Sequence, residues 1–146
     1  MIRVDRDIEV GRPAAEVFER LTKVEDLPRW QPAIVEAALT SEGPIGVGST
    51  LRLVVAAGGQ RTEATGTVVE FDRPNLIAID ASAGPANIRA RVAVTEIDPA
   101  SSRVAVGTEI ALGGMLRFVE GMVRSRIEAE APAAAQAVKD WLESPG

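Results

Sequence analysis

The sequence predicts an α+β domain: one strand, two short helices, a six-stranded antiparallel meander and a long C-terminal helix, in that order. Three observations carry this. Residues 2–10 alternate strictly in side-chain character, the period of a half-buried strand. Between residues 34 and 112 the period stays at two, broken only by short turn-like separators. Residues 115–143 then carry a helical period.

In the first strand Ile2, Val4, Ile8 and Val10 share one side, and Arg3, Asp5, Asp7 and Glu9 the other. Gly11-Arg12-Pro13 breaks it, and Pro13 suits the first residue of a helix. Ala14 to Leu21 follows as a short helix with Val17, Phe18 and Leu21 at helical spacing. Pro28 and Pro32 bracket Arg29-Trp30-Gln31, which limits the next segment to a second short helical piece. Strands are then predicted over 34–41, 49–57, 61–72, 75–83, 86–98 and 102–112. Their separators are Glu42 to Gly48, Gly58-Gly59, Asp72 to Asn75, Gly84-Pro85 and Asp98 to Ser101. Connections this short require antiparallel neighbours, because parallel pairing needs a long crossover. The clearest rows are Ile88/Ala90/Val92/Val94 and Val104/Val106/Thr108/Ile110/Leu112, with Arg89, Arg91 and Thr95, and Arg103 and Glu109, opposite them. Gly113-Gly114 ends the sheet, and the last helix should bend at Pro132, which cannot donate the interior hydrogen bond. With no repeats or linkers, residues 1–146 read as a single domain.

Composition narrows the chemistry. The 146 residues include no Cys, His or Tyr, which excludes a thiol nucleophile, a Ser-His-Asp triad and a Cys/His metal site. No metal and no cofactor is therefore expected. A net charge of −5 and only 3% aromatic residues argue against nucleic acid as partner, which calls for a basic surface and stacking side chains. No apolar run approaches the roughly 18 residues of a membrane span, so stable membrane insertion is not expected. The charged start, Ile2 to Asp7, has no apolar stretch of a leader; the expected location is the cytoplasm. The loop Gly43-Pro44-Ile45-Gly46-Val47-Gly48 lacks a Gly-Lys-Ser/Thr ending and precedes a strand, so it is no phosphate cradle.

Four stretches carry a family resemblance. They are IEVGRPAAEVFERLTKVEDLPRWQPAI at the N-terminus, the Gly43 to Gly48 loop, Val69-Glu70-Phe71-Asp72-Arg73-Pro74, and Leu112-Gly113-Gly114-Met115-Leu116-Arg117. In them the chain resembles the START/polyketide cyclase-like (SRPBCC, birch-pollen-allergen-like) superfamily over essentially its whole length. The resemblance implies a helix-grip fold, in which a curved antiparallel sheet of about seven strands wraps a long C-terminal helix around an apolar cavity. It also implies a small hydrophobic ligand, lipid- or polyketide-like, bound or transported there. The cavity candidates are Trp30, Leu53, Val55, Thr67, Val69, Phe71, Val92, Val106, Met115, Phe118, Val119, Met122, Arg126 and Glu130.

At about 100° per residue, Met115, Leu116, Phe118, Val119, Met122, Val123, Ile127 and Ala129 share a broad helix face. Arg126 and Glu130 break it near its middle, and they are neighbours at i,i+4. Either they anchor a polar group of the ligand, or they reach solvent where the helix leaves the sheet. Arg6 also breaks an apolar row; an inward charge that guards an edge strand explains it without a function. Glu63, Asp80 and Glu130 could form a carboxylate set for proton transfer, as in a polyketide cyclase or dehydratase, with ordinary surface carboxylates as the plainer reading. No residue is assigned as catalytic. A third reading is a protein-interaction module, a homodimer among its forms, whose cavity its own side chains fill. The small residues Ala56, Ala57, Ala64, Ala90, Ala93 and Ala105 count against filling.

Overall fold

The structure, a computed structural model, describes residues 1–31, 34–57 and 60–145. Pro32 and the predicted Gly58-Gly59 turn lie outside the described residues, as do the side chains of Ala57 and Leu116. Seven strands form one sheet: β1 (Ile2–Val10), β2 (Ile34–Leu39), β3 (Thr50–Ala57), β4 (Gln60–Asp72), β5 (Leu76–Ala83), β6 (Ala86–Asp98) and β7 (Ser101–Leu112). The order is β1-β7-β6-β5-β4-β3-β2, every neighbouring pair antiparallel. Thus β2 to β7 form the expected meander, and β1 closes onto its last strand. Since β1 and β2 are opposite edges, the chain between them must cross the sheet. It does so through α1 (Ala14–Leu21), a 3₁₀ turn (Val24–Asp26) and α2 (Leu27–Trp30).

Alternation sorts the two faces of the sheet. The convex face carries directly opposed ion pairs: Arg3 with Glu109, Arg103 with Glu9 at 2.9 Å, and Arg89 with Asp80 at 2.5 Å. The last pair holds the Asp80 carboxyl below its ordinary range, chiefly through the guanidinium hydrogen bonds. These pairs face solvent, so they set register more than stability. The concave face presents Val10, Leu51, Ala64, Val68, Ile77, Val92, Val94 and Val104, all buried, and α1 covers one end of it with Val17, Phe18 and Leu21.

Register shifts fall at Ile34/Glu36, Val68/Glu70 and Glu96/Asp98, and the one in β4 reverses the alternation where it bears on the site. In β4 the inward residues are Ala64, Gly66 and Val68, and a bulge between Val68 and Glu70 then brings Phe71 inward. Thr67 consequently falls on the other face and Val69 is the extra residue of the bulge, a correction to the inward positions that an unbroken period of two predicted.

The C-terminal helix differs at its start. Residues Gly114–Val119 form a 3₁₀ helix, and α3 proper runs Glu120–Glu143, continuing through Pro132. Val119, at φ −106° and ψ 8°, separates the two pieces. Only Val138 and Leu142 of α3 are fully buried, so the helix is held mainly at its C-terminal end.

That end is clamped by the β1–α1 corner. Arg20 donates to the carbonyls of Leu142 (3.1 Å) and Ser144 (3.0 Å) and lies 4.7 Å over the Trp141 ring. Arg12 donates to the Glu143 carbonyl at 2.6 Å. Cations at a helix C-terminus satisfy carbonyls that have no partner within the helix. The Glu143 carboxylate accepts from the Gly11 amide (2.8 Å) and from Lys139 (3.2 Å), and these contacts, the amide first, hold its pKa below the ordinary range. A depressed carboxylate pKa contributes stability that is present above the unfolded value of about 4.3 and is lost as pH falls through the folded value. Glu143→Gln should therefore lower the denaturation midpoint at pH 7, with the deficit shrinking below about pH 4.3. A deficit that stays constant from pH 7 to pH 3 would show that the carboxylate charge is not what holds the corner.

Candidate functional site

Clamping α3 at one end leaves the rest of it standing over the concave face, and the space between is a cavity of about 620 Å³. Ligand pockets commonly span roughly 300–1,000 Å³. The sheet supplies Leu51, Leu53, Val55, Ala64, Ile77, Ile79, Ala81, Ile88, Ala90 and Val92. The crossing segment supplies Leu21, Thr22, Val24, Leu27, Trp30 and Gln31, and Ile45 joins from the loop before β3. From α3 come Ile127, Glu130, Ala131, Ala133, Ala134 and Ala137. The cavity exists because its helix wall is built of alanines, and because Ala64, Ala81 and Ala90 face them from the sheet. Side chains this short stop before the gap is filled.

Five of the predicted lining residues stand in this wall: Trp30, Leu53, Val55, Val92 and Glu130. The others are placed elsewhere. Val106 is buried beside Val92 without reaching the cavity, and Phe71 packs against Phe18 with ring centroids 5.7 Å apart. Thr67 and Val69 are turned away by the β4 bulge. Met115, Phe118 and Met122 are 84%, 88% and 76% exposed, and Val119 is 38% exposed. Met115, Phe118 and Val119 lie in the 3₁₀ turn over Gly114–Val119, which advances by about 120° per residue and breaks the α-helical phase, whereas Met122, inside α3, stands about 140° around the helix from the cavity-facing Ile127. Arg126 lies about 100° around the helix from the cavity-facing Ile127. Its guanidinium reaches Glu130 at 3.4 Å, with both side chains largely exposed, so the pair stands at the rim.

The carboxylate set does not assemble in the cavity. Asp80 is on the convex face with Arg89, and Glu63 is exposed and paired with Arg52 at 3.2 Å. Glu130 alone of the three lines the cavity. Among the described residues no group of three or more His, Cys, Asp or Glu could hold a metal ion, and no helix is long and apolar enough to cross a membrane.

Sequence reading misses the helical alanines and, apart from Trp30, the crossing segment. The run Ala131-Pro132-Ala133-Ala134-Ala135-Gln136-Ala137 is the signal that was available, since so many small residues on a sheet-facing helix cannot close a core. Arg6, the inward charge that edge protection alone would explain, stands in the cavity wall.

The family model described as polyketide cyclase / dehydrase and lipid transport matches residues 1–143. The chain belongs to that family. Solved structures agree on the helix-grip fold. A START superfamily protein from Mycobacterium smegmatis superposes with a TM-score of 0.79 at 20% identity, covering 97% of each chain. An aromatase/cyclase from Streptomyces sp. R1128 gives 0.76 at 18% identity, over 97% of this chain and 93% of that one. A norcoclaurine synthase point mutant from Thalictrum, solved with a transition-state analogue, gives 0.64 at 18% identity, over 96% and 92%. At such identities the likeness concerns the fold. A comparison with curated proteins finds no match.

Proposed function

We propose that this member of the family binds and carries a small, largely apolar molecule in the cavity between sheet and α3. The observation that carries the reading is a 620 Å³ space walled mainly by aliphatic side chains. An apolar molecule entering it leaves water for an environment of matched polarity. A family described as including lipid transport supports the same reading. Holding is favoured over transforming, because Glu130 is the only one of the three candidate carboxylates at the cavity and it is engaged by Arg126.

The test uses a neutral environment-sensitive probe, N-phenyl-1-naphthylamine. The expected result is a saturable, blue-shifted fluorescence rise at one probe per chain. A signal that grows without saturation would mean that the probe coats exposed apolar surface, and the reading would be abandoned.

A further inference from the structure

Arg6 is a cation that the fold turns inward and leaves without a carboxylate. It occupies an inward position of β1 in the same row as Ile2, Val4, Ile8 and Val10. It is half-buried in the cavity wall, and among the described residues no acidic group lies within ion-pair distance of it. The outward arginines Arg3, Arg89, Arg91 and Arg103 each have such a partner. Desolvation without a counter-charge lowers the pKa of Arg6. Guarding the sheet edge does not require this placement, because Arg3, Asp5, Asp7 and Glu9 already charge the outer row of β1.

Two further polar side chains extend the pattern. Thr108 lines the cavity from β7; it pairs with Val4, while Arg6 pairs with Val106, so Thr108 stands diagonal to Arg6 on the same face. At the other edge of the sheet, next to β2, Trp30 lines the cavity at 5% exposure, and its buried Nε1–H has no acceptor among the described residues. Buried donors are rarely left orphaned. An apolar cavity with unmatched donors at both ends fits a ligand that brings acceptor oxygens.

Resting on the reading that the cavity holds an apolar molecule, we propose that its ligand is an amphipathic carboxylate. The carboxylate accepts hydrogen bonds from the Arg6 guanidinium and the Thr108 hydroxyl, and the hydrocarbon body lies between Ile79, Ile88, Ala90 and Ala134. The guanidinium matches a carboxylate in a paired geometry, which an alcohol or an ester cannot reproduce.

Dodecanoic acid and its methyl ester, competed against the neutral naphthylamine probe, test this on the intact chain. The acid should displace the probe at a concentration roughly 10- to 100-fold lower than the ester does. Arg6→Met should erase that preference by weakening the acid more than the ester, and Arg6→Lys should keep part of it. Equal potency of acid and ester on the wild-type protein, needing no variant at all, overturns the anchor and leaves the cavity reading standing. A preference that survives Arg6→Met also overturns it. Saturable probe binding that neither compound displaces does the same, whereas failure of the probe itself to bind saturably removes the cavity reading as well.

Discussion

Replacing Phe18 by Ala is expected to lower stability by about 3–5 kcal/mol, the range for a fully buried aromatic ring. Phe18 is 0% exposed, on the face of α1 that meets the sheet, with its ring against Phe71 at a 59° tilt. The contact fixes more than one side chain. Phe71 faces inward only because of the β4 bulge, and Arg73 sits 5.6 Å over its ring while pairing with Glu19 on α1. Removing the Phe18 ring therefore leaves a void where α1 and β4 meet, and rigid neighbours close such a void only in part. Domain stabilities of about 5–15 kcal/mol make this a large fraction of the whole. Urea denaturation of Phe18→Ala beside Phe118→Ala gives the contrast. Phe118 is 88% exposed, and its loss should stay within about 0.5 kcal/mol. Similar costs for the two variants would mean that the placement of both rings is wrong.

The two phenylalanines also show where the sequence was legible. Phe18 was assigned to a buried helix face because three apolar residues at helical spacing follow a helix-starting proline, and that is local information. Phe118 was assigned to the cavity because residues 115–143 were read as one α-helix. Nothing local distinguishes a 3₁₀ turn from the first turn of an α-helix in that stretch, and the same ambiguity misplaces Met115 and Val119 together with Phe118. The strands behave alike. Where alternation is unbroken, in β6 and β7, the concave rows were read correctly, and short turns forced their order. A bulge is an insertion that only the partner strand reveals, so an unbroken period misplaces Thr67 and Val69 and passes over Val68. The cavity was the least legible feature. An empty volume is a property of residues far apart in the chain, and Ala90, Ala134 and Leu21 announce it only once β6, α3 and α1 are brought together.

Filling that volume should separate binding from folding. In the double variant Ala90→Phe, Ala134→Phe, two rings enter the cavity from its opposite walls, one on β6 and one on α3. Ala90 lies between Ile79 and Thr108 across the sheet, so a ring there projects over the middle of the concave face. Overpacking a filled core costs about 1–3 kcal/mol, but here the rings meet space instead of neighbours, and each buries apolar surface worth about 25 cal/mol per Å². The urea midpoint is therefore expected to hold or rise while affinity for the neutral naphthylamine probe falls by at least about 10-fold. Loss of binding with an undiminished midpoint is a combination that general destabilisation cannot produce, since a destabilised fold loses both. A folded double variant that binds the probe as well as the wild type would place the probe elsewhere. The exposed cluster of Met115, Phe118 and Met122 is the alternative surface, and Phe118→Ser would then abolish the signal that the cavity variant left intact.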